Sequence, residues 1–195
     1  MRALRLYSHC LETRPILTKA VSGSLVFALG DYLCQKIENK YIFKTPQKSI
    51  NWHRVLKQTS FGFVMAPYLH LQYNKIIPWL FPETAKYSIA KGVAYAVTLS
   101  DGFFNFTFFL YMGYMNDRSL NEAVEEVPKK FVPVQINNMK IWPFITGFNF
   151  TFVPSNYRVL FDNFMCIFWN IYLSYVENTK FLIEKKDGPE GDKLK

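Results

Sequence analysis

Ionisable and amide side chains stand inside long apolar stretches of this 195-residue chain, and they are its best candidates for chemistry. Asp31 and Gln35 are four residues apart, as are Asp101 and Asn105, so each pair shares one face if its segment is helical. Inside a membrane, such groups need a partner or a water-filled cavity. The candidate pore or buried polar network comprises Asp31, Gln35, His70, Asp101, Asn105, Asn149, Arg158, Asp162, Asn163 and Asn170.

Two interpretations of this polar set are open. In one, the side chains line a narrow hydrophilic path between helices, where the acids favour cations and Arg158 sets a barrier or an anion contact. In the other, they form hydrogen bonds between helices, each amide contributing on the order of 1 kcal/mol to packing. Arg158 and Asp162 are four residues apart near a predicted helix start, which favours a local ion pair. His70 has no second ligand at metal-binding spacing, so we expect a hydrogen-bonded interior histidine.

Sequence patterns typical of enzymes, metal sites and cofactor sites are absent. The chain contains no Gly-rich phosphate loop, no Gly-x-Ser-x-Gly elbow and no His-Glu-x-x-His motif. Cys10, Cys34 and Cys166 are too few and too scattered for a disulfide framework or a zinc site. We therefore expect no enzymatic activity, no cofactor and no bound metal.

The segments that carry the polar set are long and apolar. Apolar residues make up 50% of the chain and aromatic residues 18%, and Asp101 is the only charged residue between positions 92 and 116. About 20 predominantly apolar residues cross a bilayer as a helix. We therefore predict an all-α integral membrane bundle of four to five transmembrane helices. The candidate spans are residues 15–37, 54–79, 89–115, 131–153 and 157–176.

The chain divides into a short amphipathic helix at residues 1–14, a membrane helical domain at 15–176 and a charged tail at 177–195. The first part carries arginines on an amphipathic pattern, which is compatible with mitochondrial import and equally with a helix that lies on the membrane surface. The tail contains glycine and proline among its charges, and we expect it to be a poor structure former.

Local signals predict how the later helices begin and end. Ser119 and Glu122 make a capping box for one short helix within a polar loop at 117–130, and Pro128 is expected to close it. Val153 and Pro154 predict a hinge between the last two helices, because proline pushes the residue before it out of helical geometry.

The formal net charge of +8 comes from dispersed basic residues rather than from a nucleic-acid fold pattern. Basic residues beside membrane segments contact anionic headgroups. We therefore expect membrane lipids, including anionic phospholipids, as partners, and no nucleic acid. The basic residues of the first long connection are Lys36, Lys40, Lys44, Lys48, Arg54 and Lys57.

Several residue types follow one another in a specific order and at specific intervals in the C-terminal third of the chain. This pattern resembles the signature of the Mpv17 family of small peroxisomal and mitochondrial inner-membrane proteins. We expect its two tryptophans to be packing or interface anchors. The residues that carry the resemblance are Trp142, Pro143, Asn149, Phe150, Pro154, Arg158, Trp169, Asn170, Tyr172 and Ser174.

Two earlier motifs extend the resemblance. The first matches at Gly30, Asp31 and Gln35, and the second matches at Pro67, His70 and Tyr73. The third candidate span lacks the family's Asp-Gln pair, which is a departure from the pattern.

The resemblance implies a four-spanning protein of the mitochondrial inner membrane, or alternatively of the peroxisomal membrane. It also implies a weakly selective channel for small solutes or metabolites. The missing Asp-Gln pair favours an alternative: a structural or lipid-organising accessory subunit of a larger mitochondrial membrane complex, such as a respiratory assembly, without transport activity.

Overall fold

The computed structural model describes residues 2–44, 47–82, 84–153 and 158–180. Within those ranges all regular secondary structure is helical, which confirms the predicted all-α class. The helices are α1 (Arg2–Thr13), α2 (Pro15–Ile37), α3 (Trp52–Leu71), α4 (Ile77–Leu80), α5 (Ser88–Tyr95), α6 (Asp101–Met115), α7 (Leu120–Phe152) and α8 (Arg158–Tyr175).

Short π-helical turns lengthen or join several of these helices. They continue α2 through Glu38–Ile42, α3 through Gln72–Ile76 into α4, α5 through Ala96–Ser100 into α6, and α8 through Val176–Lys180. Five long helical segments result, and each overlaps one predicted span, although the fourth begins at Leu120 rather than at 131. Two of them, Pro15–Ile42 and Ser88–Met115, are long and apolar enough to cross a membrane by length and composition.

The long segments pack as a ring. α2 packs against α3 and α8, α6 packs against α7, and the pairs α3–α6 and α7–α8 close the circle. Small residues permit the closest approach, because Gly62 of α3 lies against the backbone of Gly23 of α2. The ring brings groups from distant parts of the sequence to a shared interior.

Large apolar side chains cover the outside of the bundle. Leu25 on α2, Leu99 before α6 and Phe144 on α7 expose 63%, 65% and 79% of their surface. The interior instead contains ionisable side chains, including Asp31 and Glu38, which are buried. A soluble monomer rarely exposes so extended an apolar surface, whereas lipid solvates it. The fold is therefore that of an integral membrane protein.

Phenylalanines fill the centre of the core between α2, α3 and α6. The rings of Phe27 and Phe61 meet edge to face at 5.5 Å, and those of Phe61 and Phe108 meet at 5.1 Å. This geometry places positive ring edges on negative ring faces, which favours aromatic pairs beyond their buried area. Leu173 of α8 and Val134 of α7 join the same buried cluster.

Helix α7 is continuous where the sequence suggested a break. The predicted capping box is confirmed, because Ser119 and Glu122 exchange their side-chain and backbone hydrogen bonds at the helix start. The prediction that Pro128 closes a short helix in a polar loop is wrong, because α7 runs on through it to Phe152. A proline removes one backbone hydrogen bond. Burial of Ala123 and Val127 holds the helix together through the proline.

The end of α7 agrees with the sequence prediction, whereas α8 extends further than predicted. α7 ends at Phe152, and Val153 is extended with φ −94° and ψ 121°, as expected before a proline. Pro154 itself lies outside the described residues. α8 and its π turn continue to Lys180, so the segment predicted to be a poorly structured tail begins as helix. Residues 181–195 lie outside the described part of the chain.

Candidate functional site

Arg54 is the centre of a buried ion network between three helices. Its Nε lies 2.7 Å from Asp31 Oδ1, and its Nη1 lies 2.7 Å from Glu38 Oε2. Its Nη2 donates to Glu38 Oε1 at 3.0 Å and to Ser174 Oγ at 2.9 Å. Two parallel bonds to one carboxylate make the contact with Glu38 a bidentate pair. We call these residues, with Gln35, the Arg54 cluster.

The Arg54 cluster is closed to solvent and well hydrogen-bonded. The side chains of Asp31 and Glu38 are 0% and 3% exposed, and that of Arg54 is 16% exposed. The Gln35 amide donates to Asp31 Oδ2 at 2.8 Å, and its carbonyl oxygen accepts from the backbone of Asn51 at 2.8 Å. The predicted pair of Asp31 and Gln35 therefore holds three helices together here.

The expectation that Arg54 faces lipid headgroups with the neighbouring lysines is wrong. Its guanidinium is drawn inward because it contacts two buried carboxylates of the segment that contains α2, those of Asp31 and Glu38. The sequence did contain a signal for this pairing. Asp31, Gln35 and Glu38 recur at spacings of four and three, which places all three on one helix face.

Glu177 is the centre of a second buried ion cluster. Its Oε2 lies 2.8 Å from Lys130 Nζ, and its Oε1 lies 3.4 Å from Arg118 Nη1. Glu126 contacts both of these cations. Glu177 and Lys130 are almost fully buried, so their charges depend on each other. We call these four residues the Glu177 cluster.

The two clusters lie at the same end of the bundle, where α2, α6 and α8 all terminate. Asn116 joins the Glu177 cluster to α3, since its amide donates to Glu177 Oε1 at 3.3 Å and its oxygen accepts from Lys57 at 3.2 Å. The sequence interpretation missed the Glu177 cluster because it assigned Glu177 to the charged tail. The structure corrects that assignment, since the Glu177 side chain is buried.

Asp101 lies midway along the Ser88–Met115 segment and points to a different part of the interior. Asn138 of α7 donates to its Oδ2 at 3.3 Å, and the Tyr73 hydroxyl lies 3.5 Å from its Oδ1. Within the part of the chain that the structure describes, Asp101 has no cationic partner. It therefore differs from Asp31, whose charge is neutralised by Arg54.

A second carboxylate, that of Asp162 on α8, lies close to this position. Asn149 donates to Asp162 Oδ1 at 2.7 Å. Both carboxylates lie near Tyr73, half of whose surface is exposed on the bundle. Four helical segments thus contribute polar groups to one partly accessible region. We call it the Asp101 set: Tyr73, Asp101, Asn138, Asn149 and Asp162.

The remaining predicted amides bond within or between neighbouring helices. Asn105 donates to Gln135 Oε1 at 3.1 Å, which joins α6 to α7. Asn170 donates to a carbonyl of its own helix, and its Cβ lies where a side chain at Gly30 would have to go. Asn163 is half-buried on α8. These contacts fit the interpretation in which amides fix the packing.

Two predicted ionisable residues are not brought into either cluster. His70 is half-buried, and the contact of its ring is with Asn74 of the following turn, at 3.5 Å. The ring is thus only partly enclosed, and the assignment of His70 as an interior histidine stays a prediction. The Arg158 side chain lies outside the described residues, so its ion pair with Asp162 stays a prediction.

The two signature tryptophans pack on each other between α7 and α8. The rings of Trp142 and Trp169 meet edge to face at 6.0 Å, and Trp169 lies 5.3 Å from the ring of Tyr172. Asn137 donates to the Tyr172 hydroxyl at 2.7 Å. These residues line a shallow apolar cleft of about 350 Å³ on the outer face of the bundle.

The other signature residues have structural positions. Pro67 and Pro143 lie inside α3 and α7. Gly30 lies against Asn170, which brings α2 and α8 into close contact. The Phe150 side chain and Pro154 lie outside the described part of the chain.

The fold and the inward-facing charges define an all-α integral membrane protein. The Mpv17 / PMP22 family model matches residues 113–174. The chain is 30% identical over 181 residues to PXMP2/4 family protein 2 of Dictyostelium discoideum, covering 90% of this chain and 91% of that protein. The chain belongs to the Mpv17 / PMP22 family.

More distant relatives carry names from two organelles. Bovine peroxisomal membrane protein 2 is 27% identical over 174 residues, covering 89% of this chain and 88% of its own. The mitochondrial inner membrane protein Mpv17 of Caenorhabditis briggsae is 25% identical over 183 residues, covering 93% and 97%. No solved structure matches the chain.

Proposed function

We propose that the protein is a weakly selective channel for small solutes in an organelle membrane. The mitochondrial inner membrane is the favoured location and the peroxisomal membrane is the alternative, since relatives are named for each. The observation that carries the proposal is Asp101. It is an interior carboxylate halfway along a spanning segment and has no cation beside it among the described residues.

The Asp101 set supports passage of cations over anions. A charge inside a membrane is costly unless it has a counter-ion or water. Asp101 is half-buried and Tyr73 half-exposed, so packing does not seal this region, and the proposed function requires that water reaches it. A carboxylate that borders a narrow aqueous path attracts cations and repels anions. The two acids of the set give the proposed path its selectivity.

The Arg54 and Glu177 clusters close the interior at one end. Buried side chains of the core, among them Phe61, Phe108 and Leu173, pack in the space beside the two clusters. Conduction therefore requires groups at this end to move apart. The conformation described here represents the closed state of the proposed channel.

Planar bilayer recordings of the purified protein test the proposal. Under a potassium chloride gradient, we expect a reversal potential that shows a preference for potassium over chloride. Asp101→Asn should move the reversal potential toward zero while channels still open. Asp117→Asn removes a carboxylate from an exposed loop and should leave the reversal potential unchanged. A protein that conducts at no voltage or pH would overturn the channel proposal.

The second candidate function is a structural or lipid-organising subunit of a larger membrane complex. The two ion clusters favour it, because such extensive interior bonding suits a rigid scaffold. This function predicts that the protein stays with a large complex on a native gel after extraction in mild detergent. Migration as a small free protein, together with conductance, would exclude it. Neither function involves catalysis, a cofactor or nucleic acid.

A further inference from the structure

One face of α2 carries a stripe that changes from apolar to aromatic to basic. Leu25, Leu29, Tyr32, Lys36 and Lys40 recur at spacings of four, three, four and four, so they lie above one another. Leu25 and Leu29 are 63% and 42% exposed, and both lysines are exposed. The stripe therefore faces the surroundings of the bundle rather than another helix.

Aromatic rings flank the stripe at the level where apolar residues give way to lysines. Trp52, at the start of α3, stacks on Tyr32 with ring centroids 6.2 Å apart. The ammonium of Lys36 lies 5.8 Å from the Tyr32 ring, and that of Lys40 lies 5.0 Å from the Tyr41 ring. Tryptophan and tyrosine favour the membrane–water interface, so this level marks the edge of the hydrocarbon.

Among the residues that the structure describes, no acidic side chain pairs with the two lysines. Glu38 stands between them in the sequence, but it turns inward and bonds to Arg54. The sequence contains no other aspartate or glutamate from position 32 to position 82. The charge of this end of α2 is thus separated into an inner neutralised cluster and an outer, uncompensated basic surface.

We propose that this stripe binds an anionic phospholipid. Its acyl chain lies along Leu25 and Leu29, its interfacial region contacts Tyr32 and Trp52, and its phosphate contacts Lys36 and Lys40. At about 1.5 Å per residue, the stripe is roughly 22 Å long. That length matches one leaflet, since half of the hydrocarbon core is about 15 Å and the headgroup layer adds several ångström.

Quenching of tryptophan fluorescence by brominated lipids in nanodiscs tests the site. Trp52 lies beside the proposed phosphate position, so brominated phosphatidylglycerol should quench it more strongly than brominated phosphatidylcholine. Each lysine near an anionic surface contributes about 1 kcal/mol, or roughly fivefold. The double variant K36Q/K40Q should therefore lower the preference for phosphatidylglycerol at least about tenfold.

Two control variants make the result specific. K86Q/K91Q removes two exposed lysines at the opposite end of the bundle, one of them 4.9 Å from the Tyr87 ring, and should keep the preference. W52F should remove the difference in quenching between the two lipids, which assigns the signal to Trp52. Unaltered thermal unfolding of each variant in detergent shows that the fold is intact.

Three results would overturn the proposal. They are equal quenching by the two lipids, an unchanged preference in K36Q/K40Q, and an equal loss of preference in K86Q/K91Q. Inorganic phosphate added in excess should not displace the lipid, because it lacks the acyl chain that contacts the leucines. Displacement by phosphate would reassign the site to a free anion. The assay needs no conductance, so it is independent of the channel proposal.

Discussion

Replacing Arg54 by glutamine should strongly destabilise the bundle. The substitution removes the cation that contacts Asp31 and Glu38, whose side chains are 0% and 3% exposed. It leaves the buried Asp31 carboxylate with the neutral donors Gln35 and Ser174, and it removes the bidentate partner of Glu38. Removing one partner of a buried ion pair costs about 3–5 kcal/mol, because the remaining charge has lost both water and its counter-ion.

The expected loss converts to a measurable change in melting temperature. For a chain of this size, 1 kcal/mol corresponds to about 2–4 °C. Arg54→Gln should therefore lower the melting temperature in mild detergent by about 6–20 °C. Arg14→Gln makes the same chemical change at an exposed position and should have little effect.

Further variants separate charge from packing at this site. Arg54→Lys keeps the positive charge but loses the planar guanidinium group that contacts both carboxylates. Its melting temperature should therefore lie between those of the wild type and Arg54→Gln. Adding Asp31→Asn to Arg54→Gln removes one stranded charge and should recover part of the loss. A melting temperature for Arg54→Gln within 2 °C of wild type, on the scale of about 2–4 °C per kcal/mol, would refute the reasoning.

Two other substitutions probe the helix contacts. Gly30→Ala should destabilise the bundle by about 1–3 kcal/mol in thermal unfolding, because its added carbon would lie 2.6 Å from Asn170 Cβ. Gly92→Ala meets its nearest atom at an ordinary 3.5 Å and is the matched control, so equal effects would contradict the close contact. Glu177→Gln should lower the free energy of unfolding by about 3 kcal/mol, because it removes the charge of the buried carboxylate that lies 2.8 Å from Lys130. A fully stable Glu177→Gln variant would show that the cluster is solvated.

The sequence was sufficient to predict the helical segments. Apolar length predicted α2 from 15 to 37, and the proline at 154 predicted where α7 ends, whereas the capping box was assigned to a separate short helix. These signals act within a few residues, so they can be recognised in the sequence alone. The continuation of α7 through Pro128 was not predictable locally, because burial against the bundle offsets the missing hydrogen bond.

The candidate site was predictable only in part. Periodicity brought Asp31 and Gln35 to one face, but their cation comes from a different helix. Charge composition placed Arg54 with the exposed lysines and Glu177 with the tail. Composition does not show whether a charged side chain points into the bundle or away from it. The partners of Asp101, which are Tyr73 and Asn138, lie on two other helices and depend on the ring arrangement.

The position of Arg54 on the span that directly follows its two acids has a consequence for biogenesis. Asp31 and Glu38 are only 23 and 16 residues before it, so all three charges leave the ribosome almost together. A buried acid is costly until its counter-ion is present, so early pairing with Arg54 favours insertion. The first two spans can enter as a self-neutralised helical hairpin, whereas Ser174 arrives only when synthesis is nearly complete. The last helix then docks onto a hairpin already seated in the bilayer.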